Sequence, residues 1–226
     1  MRLTIISTPI GFLGSGRGGG VEITLNSLVS GLLKQNHDIN VIAPINSNLS
    51  KSCSSANLFT VEGLEQKSWQ HQNYHTKTKI LKNSITSVMF EKADSLMNNC
   101  DAIINLSYDF LPISKTLQVN YPIVHLISMG DESLEINNII SKVYSFHPNN
   151  FAFHSRAQAS DYPFIKEPII LGNGFELSRY TFQKKKKGPL GWVGRVAPEK
   201  GLEDAVYVAS KIGEKLNVWG FIEDKD

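Results

Sequence analysis

Short runs rich in β-branched residues alternate with segments of helical period along most of the chain, and no other feature restricts the fold so strongly. RLTIIS (residues 2–7) precedes a helical pattern over 21–35, and INVIAP (39–44) follows it. NLFTVEG (57–63) reads as a strand, and residues from about 76 to 99 read as one long helix. DAIINLS (101–107), PIVHLIS (122–128), NFAFHS (150–155) and PIILGN (168–173) give further strands, with a short helix near LPISKTLQ and another within 131–145. Strands separated by helices pair in parallel through crossovers, so the expected fold class is α/β: a parallel sheet with helices on both faces. AIINL and IVHLI are apolar enough for central strands buried on both sides.

The character of the chain changes at about residue 177. LSRYTFQKKKKGP is polar, carries four consecutive lysines and ends in Gly188-Pro189, which reads as a solvated linker over 178–189. Residues 1–177 form the first expected domain. Strand LGWVGRV (190–196), turn APEKG, helix LEDAVYVASKIGE (202–214) and strand LNVWGF (216–221) start a second over 190–226. A βαβ unit of about 38 residues cannot bury both of its faces alone. The second domain is therefore expected to be incomplete, either because the chain belongs to a longer protein or because another chain supplies the rest.

Composition excludes several classes. A net charge of +2 gives no electrostatic case for nucleic acid. No apolar segment approaches the roughly 20 residues that span a bilayer. Peripheral membrane contact stays open through Lys77, Lys79 and Lys82 of HTKTKILKNS, against the simpler reading of a solvated face. Cys53 and Cys100 lack metal-ligand spacing and read as unpaired thiols of a cytoplasmic chain. Asp131-Glu132-Ser133 reads as a helix amino terminus, so no metal site is expected.

GSGRGGGVE (14–22) places five glycines and one arginine between the first strand and the first helix. Glycine lets backbone approach a ligand, and the helix behind it offers free N–H groups to an anion. Gly14-x-Gly16-x-x-Gly19 satisfies the dinucleotide pattern, but the second strand ends Ala43-Pro44-Ile45-Asn46 without the ribose-binding carboxylate. The loop is also longer than that turn requires. A phosphate loop of the nucleotide-triphosphatase kind fails because no Lys-Ser/Thr follows Gly19. A loop without ligand remains a further reading.

A fourth reading comes from VGRVAPEKGLEDAVYVA (193–209). It puts Arg195 at the carboxyl end of a strand and Lys200 just before a helix, where open α/β sheets bind ligands. A planar guanidinium fork and a point charge together suit a diphosphate leaving group. A surface Arg and a surface Lys in a turn is the plainer alternative.

This segment resembles the diphosphate-binding segment of family 4 glycosyltransferases of the GT-B fold, whose pattern is GR-x-x-x-x-KG. The resemblance runs in order along nearly the whole chain. GGGVE resembles the family's amino-terminal GG-x-E/A loop, IVHLIS its central strand with a histidine, FHSRAQ a strand end, and ILGNGFELSRY the segment leading into the second domain. The opening STPIGFLGSGRGGGVEITL is similar to cyanobacterial enzymes that transfer glucose from UDP-glucose to tetrahydrobiopterin.

The resemblance implies two Rossmann-like domains with the active site in the cleft between them, and transfer with retention of anomeric configuration from a nucleotide sugar to a small-molecule acceptor. No cofactor is implied. Arg195 and Lys200 would bind the donor diphosphate, Gly18, Gly19 and Gly20 would face it, and His125 would be catalytic beside the donor sugar. Glu22, Asn173 and Gly174 would contact the cleft, with a helix-dipole role as the other explanation of Glu22. The family's Glu-x7-Glu motif has no counterpart before residue 226, so weak donor binding and no turnover are expected of this stretch alone. The alternatives are an acceptor-binding half of a split transferase, a transferase acting on lipid or saccharide, and a nicotinamide oxidoreductase.

Overall fold

The computed structural model describes residues 1–185, 188–220 and 222, in two compact units, Met1–Glu176 and Leu177–Asp226. Lys186 and Lys187 of the lysine run, Phe221 of the last expected strand, and residues 223–226 lie outside the described residues.

In the first unit the strands are β1 (Arg2–Ile6), β2 (Asp38–Pro44), β3 (Asn57–Val61), β4 (Ala102–Asn105), β5 (Ile123–Ile127), β6 (Phe151–Phe153) and β7 (Ile169–Ile170). They make one seven-stranded parallel sheet in the order β3-β2-β1-β4-β5-β6-β7. Strand pleating sends neighbouring residues to opposite faces. Ile5 and Val41 join Leu25 and Val29 of α1 (Gly20–Lys34) on one side. Ile6, Ile42 and Ile103 meet Met89, Phe90 and Ala93 of α2 (Ile85–Ser95) on the other. Ile113 of α3 (Phe110–Lys115) packs with Ile136, Ile140 and Val143 of α4 (Leu134–Phe146), over Ile127, Phe151 and Phe153. Ser133 caps α4 through its hydroxyl, as the sequence suggests. A short helix, α5 (Arg156–Ala159), capped by Ser155, is an addition to the expected elements.

The second unit contains β8 (Leu190–Val193) and β9 (Leu216–Trp219), paired in parallel and joined by α6 (Leu202–Lys211).

One expected element differs in kind. The helix anticipated from about 76 to 99 exists only as α2, followed by a single turn at Met97–Asn99. Ser84 stops it on the amino side, because its hydroxyl accepts the Ser87 N–H. Upstream, the Leu64 N–H donates to Asn83 O at 2.8 Å and the Ile85 N–H donates to Leu64 O at 3.0 Å, which makes residues 64–84 a closed strap. Thr78, through both its N–H and its hydroxyl, is also bound to Glu135 of α4. These tertiary bonds outweigh a helical propensity already weakened by Thr76, Thr78 and Asn83.

Candidate functional site

The strand order turns back between β1 and β4, and in an open parallel sheet that reversal leaves a crevice beyond the strands' carboxyl ends. A small cavity of about 40 Å³ lies there, lined by Thr8 and Pro9 after β1, Val21 of α1, Tyr108 and Asp109 after β4, and Ser128 and Met129 after β5. It shares Gln66, Lys67, Trp69 and Asp109 with a larger cavity of about 380 Å³ beneath the strap.

The glycine loop folds around a carboxylate. Glu22 is 7% exposed. Its Oε2 accepts the Gly14 N–H at 2.7 Å, and its Oε1 accepts the Gly18 N–H at 2.9 Å and the Ser15 hydroxyl at 3.3 Å. The Gly19 N–H donates to Gly16 O at 3.0 Å. At Gly18 a Cβ would stand 2.9 Å from both Glu22 Cγ and Thr8 Cγ2, so close packing on the carboxylate requires glycine there. Gly19, at φ 57°, turns the chain into α1 from the left-handed region. The bare backbone thus serves first to wrap a buried acid at a helix amino end, where the helix dipole also favours it. The N–H groups of Gly18 and Gly19 thus have partners inside the loop, and a part for Gly18, Gly19 and Gly20 in facing a donor diphosphate remains a proposal. Glu22→Ala would leave the Gly14 and Gly18 N–H groups without their partner, and bonds to charged groups are worth about 1.5–3 kcal/mol each. Urea unfolding should show a loss of about 2–3 kcal/mol, with faster tryptic cleavage at Arg17; unchanged stability would contradict the role of Glu22 as the loop's anchor.

Asp109 organises the crevice beyond β4. Its Oδ1 accepts the Leu111 N–H at 3.1 Å and so caps α3, while its Oδ2 accepts from Gln66 Nε2 at 2.9 Å. Trp69 also bonds to its carboxyl, and Thr86 donates its hydroxyl proton to Gln66 Oε1. Burial raises the Asp109 pKa above the ordinary carboxyl value against the opposing pull of these donors. Sequence reading missed Asp109, Gln66 and Trp69. The available signal was an Asp directly before FLPIS, a helix-cap pattern. After β5, Tyr162 donates to Met129 O at 3.0 Å and to Gly130 O at 2.8 Å, and Gln158 Nε2 donates to Ile127 O and Met129 O. Burial pushes the neighbouring Tyr108 phenol up to about 12.

His125 lies elsewhere. It sits mid-strand in β5, opposite Asn105 on one neighbour and Phe151 on the other, and is 0% exposed. Asn105 Nδ2 lies 3.0 Å from its Nδ1, and Thr116 Oγ1 lies 2.8 Å from its Nε2. The Asn105 amide orientation is fixed by donation to Ser107 O and acceptance from the Ser107 N–H, so Nδ1 accepts and the Nε2–H donates to Thr116. The ring stacks on Phe151 at 5.0 Å, and burial lowers its pKa to about 3. Both nitrogens are occupied in the interior. This corrects the expected contact with a donor sugar: His125 is a neutral core histidine.

Asn173 and Gly174 follow β7 as exposed irregular chain, apart from the crevice-lining residues. In the second unit, Arg195 lies two residues past β8, and Lys200 ends the turn Pro198–Lys200. Gly201, left-handed at φ 62°, then opens α6. The strand's carboxyl end and the helix's amino end thus each carry one of the two cations. Cys53 and Cys100 are free thiols. Among the described residues no helix is long and apolar enough to cross a membrane.

No protein-family model and no curated protein sequence matches the chain. Solved structures do. AviGT4, a glycosyltransferase involved in avilamycin A biosynthesis, matches over 96% of this chain with a TM-score of 0.55 and 14% identity. The glycotransferase of kitacinnamycin matches over 96% with a TM-score of 0.53 and 8% identity. The chain has their GT-B, Rossmann-like fold. It spans 55% and 64% of the length of those two chains.

Proposed function

We propose that the chain belongs to a retaining glycosyltransferase of family 4, which moves a sugar, glucose from UDP-glucose being the first donor to test, onto a small-molecule acceptor. The observation that carries this reading is the placement of Arg195 and Lys200 at the strand end and helix start of a parallel βαβ unit, in a chain with the fold of known glycosyltransferases. In this reading the two cations hold the donor diphosphate and stabilise the negative charge that grows as the glycosidic bond breaks. Positioning and leaving-group stabilisation then supply the rate, and no side-chain nucleophile is assigned. The acceptor binds in the first unit's crevice, beside Trp69, Asp109 and Ser128. The similarity of the opening residues makes a reduced pterin the first acceptor to assay. Chromatography of a reaction containing UDP-glucose and a reduced pterin tests the proposal in the active enzyme: a glucosylated pterin and UDP are expected. Turnover with lipid or saccharide acceptors alone would keep the transferase and overturn the acceptor.

A further inference from the structure

The larger cavity beneath the strap has a charge that the family resemblance does not address. Its volume of about 380 Å³ lies within the range of small-molecule sites. Its lining contains three lysines, Lys67, Lys77 and Lys79, against one carboxylate, Asp109. That carboxylate is buried, its oxygens already accept from Leu111 and Gln66, and its single charge can balance one lysine of the three at most. Outside the cavity Glu135 offsets part of Lys77, to which it is electrostatically coupled. Lys67 and Lys79 remain exposed at the lining, near the amino end of α2, whose dipole adds positive potential at Ser84 and Ser87. Trp69, Phe110 and Leu111 supply apolar surface to the same space.

We propose that this cavity binds a small anion with an aromatic or apolar body, the acidic group paired with Lys67 and Lys79 and the body set against Trp69. That the anion is the sugar acceptor rests on the glycosyltransferase reading; its charge and its seat do not. The acceptor class then narrows to molecules carrying a carboxylate or phosphate, such as an acidic derivative of a pterin rather than an uncharged one.

The test uses the purified chain and two dyes of similar ring system, anilinonaphthalene sulfonate and uncharged N-phenylnaphthylamine. The sulfonate should quench Trp69 at a single site, Trp69→Phe should remove the quench, and the neutral dye should bind about ten-fold more weakly or worse. The double variant Lys67→Glu/Lys79→Glu should lose about ten-fold or more in sulfonate affinity while keeping its affinity for the neutral dye and its circular dichroism. Equal binding of the two dyes, or sulfonate binding that survives charge reversal, would overturn the proposal. So would a double variant that loses only its attachment to phosphatidylglycerol vesicles, because the lysines would then face a membrane. None of these readings depends on sugar transfer, so an inactive transferase and an empty cavity give different results.

Discussion

Replacing Lys200 with alanine in the active enzyme is expected to lower turnover by about 10² to 10³ without changing the melting temperature, since one preorganised charge-stabilising donor is worth about that much. The separation of the two effects follows from position. Lys200 is exposed, ends a turn and precedes a left-handed Gly201 that opens α6. Exposed substitutions of this kind shift stability by no more than about 0.5 kcal/mol. Its charge stands at the amino end of α6, where in the proposed mechanism helix dipole and ammonium would act on the same donor diphosphate. Saturating donor should not rescue the variant, because the lost interaction is one that strengthens as the diphosphate departs. Near-normal turnover at saturating UDP-glucose would remove Lys200 from the mechanism.

His125 should show the opposite pattern, with large effects on stability and small ones on turnover. His125→Ala removes the partner of one Asn105 N–H and of the Thr116 hydroxyl and opens a cavity beside Phe151. Such a change costs about 3–5 kcal/mol. Its pH dependence is diagnostic. The ordinary histidine value is 6.5 and the folded value about 3, so the folded protein binds the proton less readily than the unfolded chain. The stability tied to neutral His125 is complete above pH 6.5 and is lost as pH falls from there toward 3. The loss should approach about 1.4 kcal/mol per pH unit. His125→Gln keeps one acceptor and one donor but does not titrate. Urea unfolding between pH 6 and pH 4 should therefore show a shallower acid slope for this variant by about that amount. Equal slopes would mean that His125 is protonated in the folded state.

The sheet was legible because its strands are short, β-branched and regularly spaced, and α1 was legible from its apolar period. The strap was not, because Thr76 to Ser84 carries no period of its own and is held by Glu135 of α4 and by the backbone of Leu64. The cations Arg195 and Lys200 stood out through their spacing across a turn. Glu22 was noticed as an acid at a helix start, but its bonds to Gly14 and Gly18 close a loop whose path no sequence pattern specifies. His125 could have been placed by parity: in IVHLI it shares a pleat face with Ile123 and Ile127, both buried. The motif drew attention to the residue type, while the alternation already put the ring in the core.

Incubating the active enzyme with radiolabelled UDP-glucose and a panel of neutral and acidic pterins tests the central claim most directly. The expected result is one labelled glycoside of retained anomeric configuration with release of UDP, formed from the acidic acceptor and abolished nearly completely by Lys200→Ala. Intact UDP-glucose across the panel, together with the same result for lipid and saccharide acceptors, would contradict it.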